Sequence, residues 1–406
     1  MLIAALAAFL TAQEPPVAEP VPAPAAQDQP VAAPVSEIAL SLFEQLPASL
    51  EGFAPQGRAQ AVAVRNFTMA GREDLALRVQ PGLYDLPPCP LAREDGIDAA
   101  IAAAREAQIV IINEAHNQPR HRWTIAQLGG ALSDQFTVFA AETFNHVRLT
   151  MRPASGPLGW YDREPVFARQ VNALRERGYR FAAYEIRLGQ RDSSVTDPIE
   201  RIAMRQEAQA ENLIADVLEE EPDARLLIHV GHSHVFEAPQ ALGEDQAPLR
   251  WFAARLKDRT GIDPLTISQT HCALAAPEAS ADGAPASPPA EILAWPVLVD
   301  GASLVPADAV DLFLAHPPMS FTDLRPDWRR QAGDVAVDIP QSLRPAEQAV
   351  IIEARPPGAS LDAMPGDRVL LFPGEIAPVL VPPGDWVLTA WTRDGAFGEP
   401  VSLSTP

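Results

Sequence analysis

Hydrophobic and polar positions alternate through the middle of the chain in blocks that predict strands and helices in turn. The strongest block is Ile109–Ile112, four branched apolar residues that are followed at once by the polar stretch Asn113–His116. A short, continuous apolar run is typical of a strand that is buried on both faces of a parallel sheet. Helical patterns lie on either side of it, at Asp95–Ala107 and from about Arg120 to Ser133. This stretch therefore predicts a helix–strand–helix unit whose strand ends in polar residues.

The same alternation continues towards the C-terminus. It predicts helices at Glu164–Arg177, Pro198–Glu219 and Pro248–Thr260, and strands at Phe136–Ala141, Tyr179–Tyr184, Arg225–Val230, Leu265–Gln269 and Val310–Ala315. Because helices and strands alternate, we predict an α/β fold with a mainly parallel sheet flanked by helices. From about residue 348, short apolar runs are separated by Pro and Gly, which predicts a small all-β appendage at the C-terminus.

Composition divides the chain into segments. Residues 1–12 are apolar and end in small residues, as a signal segment does, although no positive charge precedes them. Residues 13–36 are rich in Ala and Pro and predict a disordered tether. We expect the α/β domain at 37–335, with a low-complexity insertion at 274–290, and the small β domain at 345–406. The protein is then expected to be periplasmic or secreted, with no transmembrane helix in the mature chain.

The charge of the chain limits its partners. The 406 residues carry a formal net charge of −22, which argues against binding to nucleic acids or to anionic membranes. We therefore expect a small-molecule or peptide substrate. The only two cysteines, Cys89 and Cys272, do not have the spacing of a metal site. A disulfide in an oxidising compartment and two separate buried thiols both remain open.

Ionisable residues follow four of the predicted strands. In a parallel sheet, the carboxyl ends of the strands meet at one edge, where α/β proteins bind ligands. Carboxylates and imidazoles gathered there are suited to general acid/base catalysis or to binding a transition metal. The residues concerned are Glu114 and His116, Glu142, Glu185, and His232 and His234.

Each of these residues also has an ordinary structural interpretation. Glu142 and Glu185 would then be capping or surface carboxylates, and His229 a hydrogen-bonded histidine of a strand. Arg205 would lie on a solvated helix face, or it would direct its guanidinium to the common edge to pair with a carboxylate or an anion. Glu114, His116 and His234 together favour function, because burying unpaired charge costs several kcal/mol.

Four short motifs resemble those of the ChaN-like haem-binding lipoproteins. Asn113–Arg122 (NEAHNQPRHR) resembles their G-E-x-H-D-x-P-x-H-H opening, and Glu142–Phe144 resembles their E-x-F. Arg205–Asn212 (RQEAQAEN) is similar to R-D-x-x-M-A-x-N, and Gly231–Val235 (GHSHV) to G-x-x-H-V. The wider group includes the erythromycin esterase-like hydrolases and the TraB/TIKI metalloproteases. The resemblance covers roughly residues 95–270.

The chain also departs from the family pattern. Asn113 replaces a Gly, Asn117 an Asp, Arg122 the second His and Gln209 a Met. Glu185 stands where the haem-binding branch tends to have Asn. This additional acid favours a hard or borderline metal over haem and leaves the esterase and protease branches open.

Together, these features predict an exported hydrolase of ester or peptide bonds. We expect a divalent transition metal at Glu114, His116 and His234, with one carboxylate or imidazole as general base and Arg205 stabilising developing negative charge. The full predicted catalytic set is Glu114, His116, Glu142, Glu185, Arg205 and His234, with His121 and His232 as cofactor-binding residues. The alternative is a haem or iron carrier without turnover. A third interpretation is a non-catalytic envelope module that binds a partner through its β appendage.

Overall fold

A computed structural model describes most of the chain. It covers residues 36–89, 96–146, 149, 158–159, 161–240, 247–274, 297–299, 309–361 and 363–406. The predicted signal segment at 1–12, the tether at 13–36 and the insertion at 274–290 lie outside the described residues, apart from Ser36 and Leu274.

Helices and strands alternate through the central part of the described chain. In chain order, the helices are α1 Glu37–Gln45, α2 Gly57–Met69, α3 Glu73–Val79, α4 Gly96–Glu106, α5 Pro119–Leu132, α6 Pro165–Glu176, α7 Pro198–Leu213, α8 Phe252–Thr260 and α9 Asp327–Gln331. The strands are β1 Ile109–Glu114, β2 Val138–Ala141, β3 Arg180–Ala182, β4 Leu226–Gly231, β5 Leu265–Ser268, β6 Val297–Val299, β7 Leu312–Ala315, β8 Phe321–Thr322, β9 Arg325–Pro326, β10 Val335–Val337, β11 Val350–Arg355, β12 Asp367–Leu371, β13 Val379–Val381, β14 Gly384–Thr392, β15 Gly395–Ala396 and β16 Val401–Thr405.

The main sheet has seven described strands in the order β3-β2-β4-β1-β5-β7-β6. Six of them run parallel, and β6 pairs antiparallel with β7 at one edge. The strand β1 lies in the middle, where both of its faces are covered, which is why its apolar run shows no alternation. The predicted α/β fold with a mainly parallel sheet is confirmed.

Helices cover both faces of this sheet. Val110 and Ile112 of β1 point to the face where α5 and α6 pack, while Ile109 and Ile111 point to the face covered by α7 and α8. The chain thus passes along one face from β1 to β3 and returns along the other. This winding brings the carboxyl ends of β1, β2, β3 and β4 to the same edge.

The three N-terminal helices pack on the C-terminal β region. The sequence predicted no definite elements between residues 38 and 78. Phe67 and Leu75 of these helices share an apolar core with Ile351, Leu370 and Trp391 of the C-terminal sheet. Because the apolar face of these helices is completed by strands almost 300 residues away in sequence, their local pattern gave little indication of their partner.

The C-terminal region is antiparallel, as the predicted β appendage requires. Its larger sheet has the order β12-β11-β14-β15, with β16 also paired to β14, and β10 pairs with β13 beside it. The buried Arg368 of β12 donates to the carbonyls of Met69 and Arg163, at 3.0 Å each, and pairs with the buried Glu353 at 2.8 Å. These bonds fasten the β region to the rest of the protein.

Cys89 and Cys272 are joined in a disulfide. The sequence left open a disulfide or two separate buried thiols, and the structure contains the disulfide. The backbone N–H of Cys89 also donates to the carbonyl of Ala273 at 3.0 Å. The disulfide connects the segment before α4 to the segment after β5. No helix within the described residues is long and apolar enough to cross a membrane.

Candidate functional site

A cavity of about 230 Å³, which we call the inner cavity, opens at the carboxyl edge of the parallel sheet. Its walls come from the ends of β1, β2 and β4, from the loop after β3, from Tyr161, and from α6 and α7. Five residues that the sequence singled out line it. They are Glu114, His116, Glu142, Glu185 and Arg205.

Glu114 lies at the base of this inner cavity, and all of its hydrogen-bonding capacity is directed to cationic or N–H groups. Arg122 donates to both carboxylate oxygens, from Nε to Oε2 at 2.6 Å and from Nη2 to Oε1 at 3.1 Å. Nε2 of His229 lies 3.1 Å from Oε2. Burial alone would raise the pKa of this carboxyl group, but Arg122 and His229 more than offset burial and hold it well below its usual range. Glu114 is therefore an ionised carboxylate in a buried position.

Arg122 is itself almost inaccessible, with 1% of its surface exposed. It also contacts Glu164, which accepts from Nη1 at 3.0 Å and caps α6 by accepting from the backbone of Val166 and Phe167. A buried guanidinium needs such partners, because removing one would leave an unpaired charge. Arg122 and Glu164 therefore fix the position of Glu114 from behind.

His116 is held by Glu114 on one side and faces the cavity on the other. Its Nδ1 lies 2.7 Å from Oε1 of Glu114, and its ring stacks on that of Tyr161 with 4.1 Å between the ring centroids. An imidazole that donates from Nδ1 to a carboxylate keeps a lone pair on Nε2. That arrangement is the oriented imidazole of a general base.

Gly231 leaves the space into which Nε2 of His116 points. A Cβ atom on Gly231 would lie 2.9 Å from that nitrogen and 3.0 Å from Oε2 of Glu142. The backbone angle φ of Gly231 is −81°, so glycine is needed here for space and not for an unusual conformation. A small volume between an imidazole nitrogen and a carboxylate oxygen thus stays open for a ligand atom.

Arg205 joins the two remaining carboxylates. Its Nε donates to Oε1 of Glu185 at 2.8 Å, and its Nη2 donates to both Glu142 and Glu185. Glu142 also accepts from the backbone N–H of Gly231 at 2.8 Å, and Glu185 accepts from Gln209 at 3.0 Å. Burial would raise the pKa of Glu142, but His234, Arg205 and His116 lower it by more, so the carboxyl group stays ionised.

His234 lies behind the cavity and not in its wall. Its Nε2 is 3.4 Å from Oε1 of Glu142 and 3.5 Å from Nη1 of Arg205, and its ring meets Trp251 edge-on. Burial, the largest cause, lowers the pKa of His234. The ring packs against the Glu142–Arg205 pair and positions it.

The two residues predicted to bind a cofactor lie elsewhere. His121 is 1% exposed, and its Nδ1 accepts from the backbone of Ala115 at 3.0 Å. Its ring packs against that of His316, with 4.8 Å between the centroids, so it supports the turn after β1 from inside the fold. His232 lies outside the inner cavity and lines a second one.

This second cavity, which we call the outer groove, has a volume of about 360 Å³. It lies between one face of α2 and the turn after β1. His116 and Tyr161 line both cavities, so the inner cavity and the outer groove adjoin each other at these two rings. Arg58 and Arg65 of α2 line the opposite side of the outer groove.

The predicted metal set does not fit this arrangement. Both oxygens of Glu114 are engaged by Arg122, Nδ1 of His116 is engaged by Glu114, and His234 is separated from them by Glu142 and Arg205. Among the residues that the structure describes, no three His, Cys, Asp or Glu side chains are grouped so as to hold a metal ion.

Haem fits no better. Pockets for drug-sized ligands usually measure about 300–1,000 Å³ and are mostly apolar. The inner cavity, at about 230 Å³, is smaller than that range, and three carboxylates and a guanidinium are among its lining residues. Its size suits a small group and not a macrocycle.

Four residues that contribute to the site were not predicted. Arg122 was noted only as a departure from a family motif, His229 was interpreted as an ordinary strand histidine, and Tyr161 and Glu164 were not considered. The alternation within β4 was a usable signal for His229. It places His229 on the same face as Leu227, which is also the face of Glu114. The contributions of Tyr161 and Glu164 depend on the path of the chain before α6, for which the sequence gave no signal.

Comparison with known proteins gives no further assignment. No protein-family model matches the chain, and no curated protein is significantly similar to it. Two solved structures resemble part of it. A structure of the type III effector HopBA1 is 13% identical and covers 59% of this chain and 99% of its own, with a TM-score of 0.32. One described as "Bacterial protein toxins" is 13% identical and covers 52% of this chain and 47% of its own, with a TM-score of 0.29. At these TM-scores, neither likeness carries an inference, and the resemblance to the ChaN-like group remains a prediction.

Proposed function

We propose that the protein is an exported hydrolase that cleaves an ester or amide bond by attack of water, with His116 as the general base. The observation that carries this proposal is the contact of 2.7 Å between Oε1 of Glu114 and Nδ1 of His116, with Nε2 left facing the cavity. Such an imidazole can accept a proton from a water molecule held beside Gly231. Among the described residues, no serine or cysteine lines the inner cavity, and the hydroxyl group of Thr143, which does line it, accepts from the backbone N–H of Tyr161 at 3.1 Å, so we assign water as the nucleophile.

The steps of the reaction use groups that are already in place. As water attacks the substrate carbonyl, its proton passes to Nε2 of His116, and the ionised Glu114 stabilises the imidazolium that forms. The carbonyl oxygen gains negative charge at the same time. Arg205 is the guanidinium that lines the inner cavity, so we assign it as the donor to that oxygen. His116 then returns the proton to the leaving alcohol or amine.

The proposed reaction requires no metal. Arg122 and Arg205 supply the positive charge that a metal would otherwise supply beside these carboxylates. The disulfide between Cys89 and Cys272 supports the exported location, because such bonds persist mainly in oxidising compartments.

The proposal is tested with a panel of p-nitrophenyl esters and short peptide amides. We expect hydrolysis that survives dialysis against EDTA and that falls about 10²–10⁴-fold in kcat/KM for Glu114→Gln, because the variant no longer fixes the tautomer of His116. Loss of activity on removal of a metal, with recovery on adding it back, would replace this mechanism by a metal-dependent one. Full activity in a folded Glu114→Gln protein would exclude the pair of Glu114 and His116 as the catalytic base.

A further inference from the structure

The inner cavity and the outer groove have opposite electrostatic character. In the inner cavity, Glu142 and Glu185 share the single guanidinium of Arg205, and Glu114 shares that of Arg122 with Glu164. The group of Glu142, Glu185 and Arg205 therefore has one carboxylate more than it has guanidinium groups. The outer groove has two guanidinium groups, and no carboxylate is among its described lining residues. In a protein with a formal net charge of −22, a groove of this kind is a local exception.

The two arginines of the outer groove are arranged along one helix face. Arg58 and Arg65 are seven residues apart in α2, which is close to two turns, so they are roughly 10 Å apart along the helix axis and point the same way. Arg65 donates to the amide oxygens of Gln45 and Asn66. Arg58 is exposed and makes no ion pair with the described residues. Val62 and Leu83 give the groove an apolar wall between these charges.

We propose that the outer groove binds the carboxylate end of a short peptide whose free amino end lies in the inner cavity. This inference rests on the proposed function only for the position of the cleaved bond, at His116 where the two cavities adjoin. An ammonium group suits the surplus negative charge beside Glu142 and Glu185, and a carboxylate suits the guanidinium of Arg58.

The size of the two spaces limits the ligand. At about 230 Å³ and 360 Å³, neither exceeds the lower part of the range of pockets that hold drug-sized ligands. Together they have room for a few residues in extended form. A ligand of two to four residues in extended form spans at most about 7–14 Å, because each residue adds at most about 3.5 Å.

The test is calorimetric binding of trialanine, its C-terminal amide and its N-acetyl form to the full chain. We expect the free peptide to bind about three- to tenfold more tightly than either blocked form. Arg58→Gln should weaken binding of the free acid about threefold, as expected for an exposed ion pair, and leave the C-terminal amide unchanged. The matched control is Arg177→Gln, an exposed arginine at the far end of α6, which should change nothing.

Equal binding of acid and amide by the wild type, an equal effect of Arg58→Gln on both, or no binding of trialanine at millimolar concentration would each overturn the inference. Products are followed by mass spectrometry in the same samples. Charge-selective binding without cleavage of any substrate in the panel would leave this inference standing and remove the hydrolase. Cleavage of an ester without charge-selective binding would leave the hydrolase standing and remove this inference.

Discussion

Gly231 lies against the imidazole of His116 so closely that a methyl group on it would come within 2.9 Å of Nε2. The strands β1 and β4 are neighbours, and Glu114 pairs with Gly231 in their register. The pairing of the two strands therefore places Gly231 next to Glu114 and His116. The open volume at the proposed water site is thus a property of the sheet and of one missing side chain.

Gly231→Ala should reduce kcat/KM by at least tenfold while the protein stays folded. The added Cβ would displace His116 or Glu142 by several tenths of an ångström, and misplacement of catalytic groups on that scale is costly. The control is Gly130→Ala in α5, where a Cβ meets nothing within 4 Å. Kinetics and thermal unfolding of both variants decide the matter. An active Gly231→Ala enzyme would show that the volume beside His116 is not used.

Arg122→Gln should destabilise the protein by about 3–5 kcal/mol. The substitution leaves Glu114 and Glu164 buried without their shared counter-ion, which is the costly way to break a buried pair. The free energy of unfolding of Arg122→Lys should lie between those of Arg122→Gln and the wild type, because lysine keeps the charge but not the two parallel hydrogen bonds. Urea unfolding measures all three proteins. A loss below about 1 kcal/mol for Arg122→Gln would mean that Glu114 is not held as described.

The fold was predictable from the sequence further than the site was. The alternation of apolar runs and helical patterns was sufficient for the parallel sheet, and the strand ends were sufficient for Glu114, His116, Glu142 and Glu185 to meet. What local pattern could not supply was pairing across the fold. Arg122 is fixed by Glu164 from the next segment of the chain, and His234 contacts both Glu142 and Arg205 of α7 without lining the inner cavity.

The same limit applies to the N-terminal helices. Their apolar residues pack on strands near the other end of the chain, so no nearby segment indicates their position. The outer groove depends on that packing, because α2 forms one of its sides. The residues at the strand ends were therefore not sufficient to predict the outer groove.

Glu73→Gln should make the protein more stable at pH 8 than the wild type. Burial, with a smaller contribution from Glu164, raises the pKa of Glu73 to about 7, against an unfolded value of about 4.3. Between these values the folded state holds a proton that the unfolded state releases, so the wild type loses stability as pH rises from about 4 to 7. The expected difference at pH 8 is on the order of 3 kcal/mol, with little difference at pH 4.

Urea unfolding at both pH values measures this effect. Glu44→Gln, an exposed carboxylate in α1, is the matched control and should leave the pH dependence unchanged. If Glu73→Gln and wild type lose stability in parallel between pH 4 and pH 8, the carboxyl group of Glu73 is not buried in the way described.

Removing the disulfide should lower stability without abolishing the site. The bond joins residues 183 positions apart, and the chain-entropy relation gives about 5 kcal/mol as an upper value for a loop of that length. Thermal unfolding with and without a reductant provides the comparison, and the Cys89→Ser, Cys272→Ser double variant should not respond to the reductant. An unchanged midpoint for the reduced wild type would indicate that the bond contributes nothing.

The central claim is that His116, oriented by Glu114, is the general base of a hydrolase. Its most direct test is kcat/KM of His116→Gln on whichever ester or amide of the panel the wild type hydrolyses best, beside His146→Gln, which alters a histidine outside the described walls of both cavities. We expect a loss of about 10²–10⁴-fold for His116→Gln and less than threefold for His146→Gln. A folded His116→Gln protein with wild-type kcat/KM would contradict it.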